Sequence, residues 1–346
     1  MNTTAAVLVE SRQPLELAQL SIPALGPGQV LVAIAYSGVC HTQLLEVRGH
    51  RGNDPYLPHC LGHEGSGTVL EVGPGVTKVK PGDQAILSWI KGSGADVHGP
   101  YYDWGGRTVN AGAITTFGHH AVLSENRLTP LPPDLPLRAA ALLGCALPTG
   151  VGAVVNTAQP HPGQSLAVFG VGGVGLCAVQ AAALAGCSPV VAVDVNPAKL
   201  EVARQCGATH TVDASAGDPV DAVRGICPGG ADYAIEASGR PAVMAQALQS
   251  VCDRGGAAVV IGNAHFGEQI SVDPRQLNHG KRLLGTWGGD SQPDRDYPRF
   301  ARLLVAGRLS VEPLLGKVYA LDAINDALDD LEAGRVVRPL IDMSLG

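Results

Sequence analysis

The sequence predicts an α/β chain of two domains, one a small antiparallel barrel and the other a doubly wound parallel sheet. Three observations point there. The chain has 346 residues, more than one hydrophobic core usually serves. From about residue 165 to about 287, short apolar runs alternate with helix-length segments, the pattern of strands joined by crossover helices. Before residue 88 the runs are short and cut by Gly/Pro turns, the pattern of an all-antiparallel region.

In chain order, residues 6–10 and 30–35 read as strands, joined through Pro23 and Gly26-Pro27-Gly28. Residues 67–72 form a third, turned by Val72-Gly73-Pro74-Gly75-Val76, and Lys80-Pro81-Gly82-Asp83 turns the chain into 84–87. Residues 88–120 are glycine-rich and read as a long irregular loop. His98, His119, His120, Asp96 and Asp103 lie in or near it and could form a metal site, but a solvated loop is the expectation. Residues 135–143 read as a short helix. Then 165–169 is a buried-type strand, 176–185 a helix of small apolar residues, and 190–193 the next strand. Helices at 198–205, 219–225 and 242–251 alternate with strands at 209–212, 232–236, 256–262 and 282–287. An amphipathic helix at 321–333 and a strand at 336–341 end the reading.

The net charge is −7, and no Lys/Arg cluster marks a nucleic-acid partner. Apolar stretches are too short to span a membrane, and no signal peptide is expected. The eight cysteines are scattered without a CxxC pair, so a reducing, cytoplasmic setting is expected rather than a disulfide framework.

Two motifs carry chemistry. The first strand of the alternating region runs into Gly170-Val171-Gly172-Gly173-Val174-Gly175, then a helix, then a strand ending in Asp194. Strand, GxGxxG, helix, strand and acid in that order form the Rossmann dinucleotide fingerprint. Glycines let a pyrophosphate approach the helix N-terminus, and the acid takes the ribose hydroxyls. The second motif is spread out. Cys40 in Gly38-Val39-Cys40-His41-Thr42, His63 in Leu61-Gly62-His63-Glu64-Gly65-Ser66-Gly67 and Cys145 in Gly144-Cys145-Ala146 make a Cys₂His set, one that suits catalytic zinc with a fourth position open.

With both motifs located, the chain resembles a zinc-dependent alcohol dehydrogenase of the medium-chain dehydrogenase/reductase superfamily. The resemblance spans nearly the whole length, through GVCHT (38–42), GHEGSG (62–67), GCALPTG (144–150), GVGGVG (170–175), VDVNPAK (193–199) and VVRPLI (336–341). It implies a GroES-like catalytic barrel (1–147 and 288–346) with an inserted Rossmann domain (148–287). It implies that Cys40, His63 and Cys145 ligate one zinc, with Glu64 beside the metal and Thr42 bonded to the reacting hydroxyl. His41 and Arg338 would neutralise the cofactor pyrophosphate. Asp194 and Lys199 would meet the adenosine ribose, and Thr149 and Ile261 would contact NAD beside Gly170, Gly172, Gly173, Val174 and Gly175. Trp89 falls where the family lines its substrate pocket, and Trp287 is a second candidate; core packing is the other reading of each. A homodimer or homotetramer is implied, with the strand at 282–287 paired across it.

The chain departs from the family in three places. No cysteine lies between Cys60 and Cys145, so the family's structural zinc is not expected. Gln43 stands where many members carry an acid, and Leu45 where many carry a proton-relay His; His50 or His59 could substitute. The implied reaction is hydride transfer between an alcohol, or its aldehyde or ketone, and NAD(H). Polyols, sugars and a thiol adduct of formaldehyde stay open as substrates. A zinc-free quinone or enoyl reductase would lack the Cys₂His set, and a non-catalytic NAD-binding protein would have no use for it.

Overall fold

β-branched and leucine runs between Gly/Pro turns form the short strands that such a pattern favours. They are β1 (Asn2–Leu8), β2 (Glu16–Ser21), β3 (Gln29–Gly38), β4 (His59–Cys60), β5 (Glu64–Val72), β6 (Gln84–Ser88), β7 (Tyr101–Trp104), β8 (Arg107–Asn110), β9 (His120–Ser124) and β10 (Leu128–Pro130). In the computed structural model, which describes residues 1–345, five of them close a barrel in the order β1-β2-β7-β8-β4. Next to it β10, β6, β5 and β3 form a second sheet, with β9 also paired to β3.

The segment 88–120 is more regular than its glycines suggest. β7 and β8 form a hairpin across Gly105 and Gly106, whose φ angles are 58° and 92°. A two-residue turn with both φ positive matches strand twist, and glycine adopts it without strain. Alternation then buries Tyr102 at 1% exposure and leaves Tyr101 at 66%. His98, His119, His120, Asp96 and Asp103 are not gathered; among the described residues the one cluster able to hold a metal is Cys40, His63 and Cys145.

The chain divides into two units, Met1–Cys145 with the segment from Gln292 onward, and Ala146–Ser291. The second unit is the parallel sheet: β11 (Leu166–Phe169), β12 (Val190–Asp194), β13 (His210–Asp213), β14 (Tyr233–Glu236), β15 (Ala257–Val260) and β16 (Arg282–Gly285). Their order is β13-β12-β11-β14-β15-β16, which reverses direction between β11 and β14. β16 stops at Gly285, so Trp287 lies beyond the strand.

The end of the chain returns to the first unit. β17 (Leu315–Tyr319) pairs with β18 (Arg338–Asp342), and β18 lies antiparallel to β3 with Leu340 opposite Gly38. Helix α1 (His41–Val47) follows β3 directly and seats Leu44 and Val47 in a core with Val39, Leu61, Phe117 and Leu328. Each such side chain stabilises the fold by about 1.5–3 kcal/mol. That anchoring fixes the residues on either side of the β3–α1 junction. No single helix among the described residues is long and apolar enough to cross a membrane.

Candidate active site

The second sheet of the first unit is antiparallel around β3, so the end of one strand meets the start of its neighbour. β3 ends at Gly38, two residues before Cys40, and β5 begins at Glu64, just after His63. β6 ends beside them, where the Trp89 amide donates to the His63 carbonyl at 3.1 Å. β18 begins at Arg338, and the Val39 amide donates to the Pro339 carbonyl at 3.0 Å. Cys145 arrives on the short 3₁₀ turn Ala141–Gly144, pinned by the Ser88 hydroxyl donating to the Gly144 carbonyl at 2.7 Å. Five separate stretches of sequence therefore converge at one edge of one sheet.

There the Cys40 and Cys145 sulfurs and a His63 ring nitrogen lie within 4.8 Å of one another. His63 Nε2 is 3.2 Å from Cys145 Sγ, close to the about 3.5 Å that tetrahedral zinc sets between sulfur and nitrogen ligands. Both sulfurs are buried. A hydrogen bond from Cys145 lowers the Cys40 pKa well below the ordinary thiol value against the effect of burial, with Arg338 and His63 helping. The same shared bond, with burial, raises Cys145 well above it. A buried thiolate beside a thiol and an imidazole is a soft donor set, and it fits a zinc ion.

Around the ligands the structure is specific. Gln43, 2% exposed, accepts the Cys40 amide proton on Oε1 at 3.2 Å and places Nε2 2.5 Å from His63 Nδ1. Thr42 Oγ1 lies 3.8 Å from Cys40 Sγ. Trp89 flanks His63, with ring centroids 6.3 Å apart. His41 is exposed at the first position of α1. Glu64 is fully buried and ion-paired to Arg338, which is 4% exposed. Burial alone would lower the Arg338 pKa; the negative charges of Cys40 and Glu64 outweigh it and raise the pKa. Gly38 is required here, because a Cβ would overlap the Glu64 carboxylate.

In the second unit, Gly170 has φ of 85° and turns β11 toward the helix Gly173–Leu184. Its N-cap is Gly172, with no side-chain cap, and a Cβ there would meet nothing within 4 Å. Open space over uncapped amides is an anion cradle. Asp194 ends β12, with Oδ2 accepting from the Val171 amide and Oδ1 from the Asn196 amide, each at 2.9 Å. Lys199 is half-buried on the helix Pro197–Gln205. Ile261, also half-buried, follows β15. Thr149 is 7% exposed, and its buried hydroxyl has no protein partner, which fits a bound ligand there. Trp287 is 76% exposed.

Residue patterning alone did not single out the loop after β14. Glu236, fully buried, accepts on Oε1 from the Ser238 hydroxyl at 2.5 Å and from the amides of Ser238 and Gly239 at 2.7 and 3.0 Å. A Cβ on Gly170 would meet Ser238 N at 2.8 Å, so this braced loop backs the glycine turn. The available signal was an acid ending a strand just before Ser238-Gly239.

A Cys/His donor set that fits a metal ion in one unit and uncapped helix amides behind a glycine turn in the other fit a metal-dependent oxidoreductase that uses a dinucleotide. Comparison with known proteins narrows the class. Residues 26–133 match the alcohol dehydrogenase GroES-like domain, and residues 173–306 match the zinc-binding dehydrogenase domain. S-(hydroxymethyl)glutathione dehydrogenase of Escherichia coli is 34% identical over 99% of this chain and 100% of its own. The crystal structure of benzyl alcohol dehydrogenase from Acinetobacter calcoaceticus is 31% identical, with a TM-score of 0.89 over 99% of each chain. A zinc-binding dehydrogenase structure from Sinorhizobium meliloti, bound to NADP, is 25% identical with a TM-score of 0.81 over 99% of each chain. The chain belongs to the zinc-dependent alcohol dehydrogenase family of the medium-chain dehydrogenase/reductase superfamily. It is an oxidoreductase that moves a hydride between an alcohol and its carbonyl compound.

Proposed function

We propose that Cys40, His63 and Cys145 hold one catalytic zinc, that Thr42 meets the reacting hydroxyl, and that NAD rather than NADP is the cofactor. The mutual approach of the three ligand atoms to within 4.8 Å carries the first point. Bound there, zinc supplies Lewis acidity, which lowers the pKa of a coordinated hydroxyl and polarises a carbonyl. The protein's own groups do the rest. Thr42, on the accessible face of α1 and beside Cys40, orients the hydroxyl and takes over its proton. Trp89 walls the site beside His63 and excludes water. Glu64, held by Arg338, places a fixed carboxylate behind the ligands and balances the buried guanidinium. His41, exposed at the start of α1, is assigned to the cofactor phosphates, whereas Arg338 is engaged by Glu64. In the second unit the uncapped helix amides would take the pyrophosphate and Asp194 both ribose hydroxyls. A 2′-phosphate would meet the Asp194 charge; Val195 and Asn196 offer no cation to offset it, and Lys199 is the one nearby cation that could reach over.

The substrate is proposed to be a primary alcohol. The named relatives make benzyl alcohol and S-(hydroxymethyl)glutathione the first compounds to test, with simple alcohols and polyols beside them. The experiment is NADH formation by zinc-replete protein across that panel, with the matching aldehydes in reverse. Turnover of at least one primary alcohol is expected. Turnover of secondary alcohols alone would overturn the substrate assignment.

A further inference from the structure

An alcohol that gives up hydride must also give up a proton, and Leu45 cannot accept one. The structure puts a carboxylate in reach. Helix α1 buries Gln43, Leu44 and Val47 and leaves Thr42, Leu45 and Glu46 on its accessible side. Thr42 and Glu46 are four residues apart, so their side chains stand one above the other, with about 5–6 Å between Cβ atoms. One water bridges such a gap. The Glu46 side chain is 24% exposed, screened on one side and wet on the other. At its outer edge Arg51 Nη1 lies 3.2 Å from Oε1, and Arg51 is 53% exposed.

The charged and titratable groups facing Glu46 are Arg51 after α1, Asp54 and His59 on the way into β4, and His63 at the head of β5. Burial raises the Glu46 pKa above the usual carboxylate value; Arg51, His63 and His59 pull it down, and Asp54 pushes it up. A carboxylate raised above its ordinary value is a stronger base than a free one, as a proton acceptor needs to be. The two histidines that could replace Leu45 are less well placed. His59 is engaged at both nitrogens, Nδ1 2.9 Å from the Cys60 carbonyl oxygen and Nε2 2.8 Å from Asp54 Oδ2. His50 is exposed, beyond the end of α1 and eight residues from Thr42.

We propose that Glu46 accepts the proton of alcohol oxidation through Thr42 and one water. The alcohol O–H bond breaks as Thr42 Oγ1 takes that proton and passes its own to the water. The water in turn protonates the Glu46 carboxylate, which discharges to solvent past Arg51. The hydride goes to the nicotinamide ring, so the alcohol loses two electrons and the dinucleotide gains them. In carbonyl reduction Glu46 returns the proton by the same path. This rests on the assignment of Thr42 to the reacting hydroxyl.

The test is the transient rate of hydride transfer, verified as such with a deuterated alcohol, in zinc-replete wild type, Glu46→Gln, Glu46→Asp and Thr42→Val. Each is measured against pH and against the concentration of a small base such as imidazole, with zinc content and Tm as controls. Glu46→Gln is expected to lose about 10²-fold near neutral pH. The deficit should close as pH rises, imidazole should restore rate in proportion to its concentration, and Glu46→Asp should keep part of the activity. Leu45→His placed in the Glu46→Gln protein should recover rate without added base. An infrared band of a protonated carboxyl that titrates above the usual carboxylate range in the metal-free wild type should vanish in Glu46→Gln, a readout independent of turnover. Wild-type rates in Glu46→Gln with no response to base would overturn the proposal. So would a loss of the same size at every pH that imidazole does not repair, since that is a structural defect. An intact rate in Thr42→Val would instead remove the reading on which the proposal rests.

Discussion

Arg338 is a permanent charge that the fold keeps from water, and the cost is offset by the negative groups packed around it. Its partner Glu64 is fully buried and the Cys40 sulfur, the more acidic of the two, lies within electrostatic reach. Truncating one member of a buried pair leaves the other charge uncompensated, which typically costs about 3–5 kcal/mol. Arg338→Met is therefore expected to lose that much stability in urea unfolding, and Arg338→Met with Glu64→Gln to lose less than Arg338→Met alone. A single-variant loss under about 1 kcal/mol would show that the pair is not held as described. The residue types here were legible in the sequence, since Cys40, His63, Cys145 and Arg338 stand in recognisable motifs. Their electrostatic coupling was not. It depends on β18 lying against β3, a pairing between residues about 300 positions apart that no local pattern encodes.

At the scale of elements, the glycine turn with its helix and acid was the most legible part, because each piece follows the last within one local unit. The cofactor assignment belongs here. kcat/KM with NAD should exceed that with NADP by at least about tenfold, and Asp194→Gly should narrow the gap, as steady-state kinetics would show. Equal values in the wild type would refute the role of Asp194. Less legible were β7 and β8, hidden among glycines, and the helix Pro293–Val305, whose Pro298 reads as a breaker although it lies inside the helix. A second element-scale prediction concerns the helix Ile324–Glu332. Its Asp330 accepts from the Tyr319 hydroxyl at 2.5 Å and pairs with Arg335 and Lys317, joining the helix to β17. Those donors, Tyr319 first, hold the carboxyl at about 2, below its ordinary 3.8. A lowered carboxylate pKa stabilises the fold above the unfolded value, and that contribution is lost as pH falls through the folded one. Asp330→Asn should therefore destabilise the protein at neutral pH and flatten the loss of Tm between about pH 4 and 2. An acid limb as steep as that of the wild type would contradict this.

For the whole molecule, β16 is an edge of the six-stranded sheet, with Leu283 and Leu284 half-buried and, among the described residues, no strand beyond it. Exposed strand edges are usually covered, and we assign this one to a second copy of the chain. Sedimentation at micromolar concentration should give a dimer or tetramer; a monomer would contradict the assignment. Five stretches of chain meet at one sheet edge, and three of them bring Cys40, His63 and Cys145 together as the proposed ligands of one zinc. Elemental analysis of freshly purified protein, wild type beside Cys145→Ser, tests this most directly. About one zinc per chain is expected in the wild type and nearly none in the variant. Two zinc ions per chain, or a variant that keeps its zinc, would contradict it.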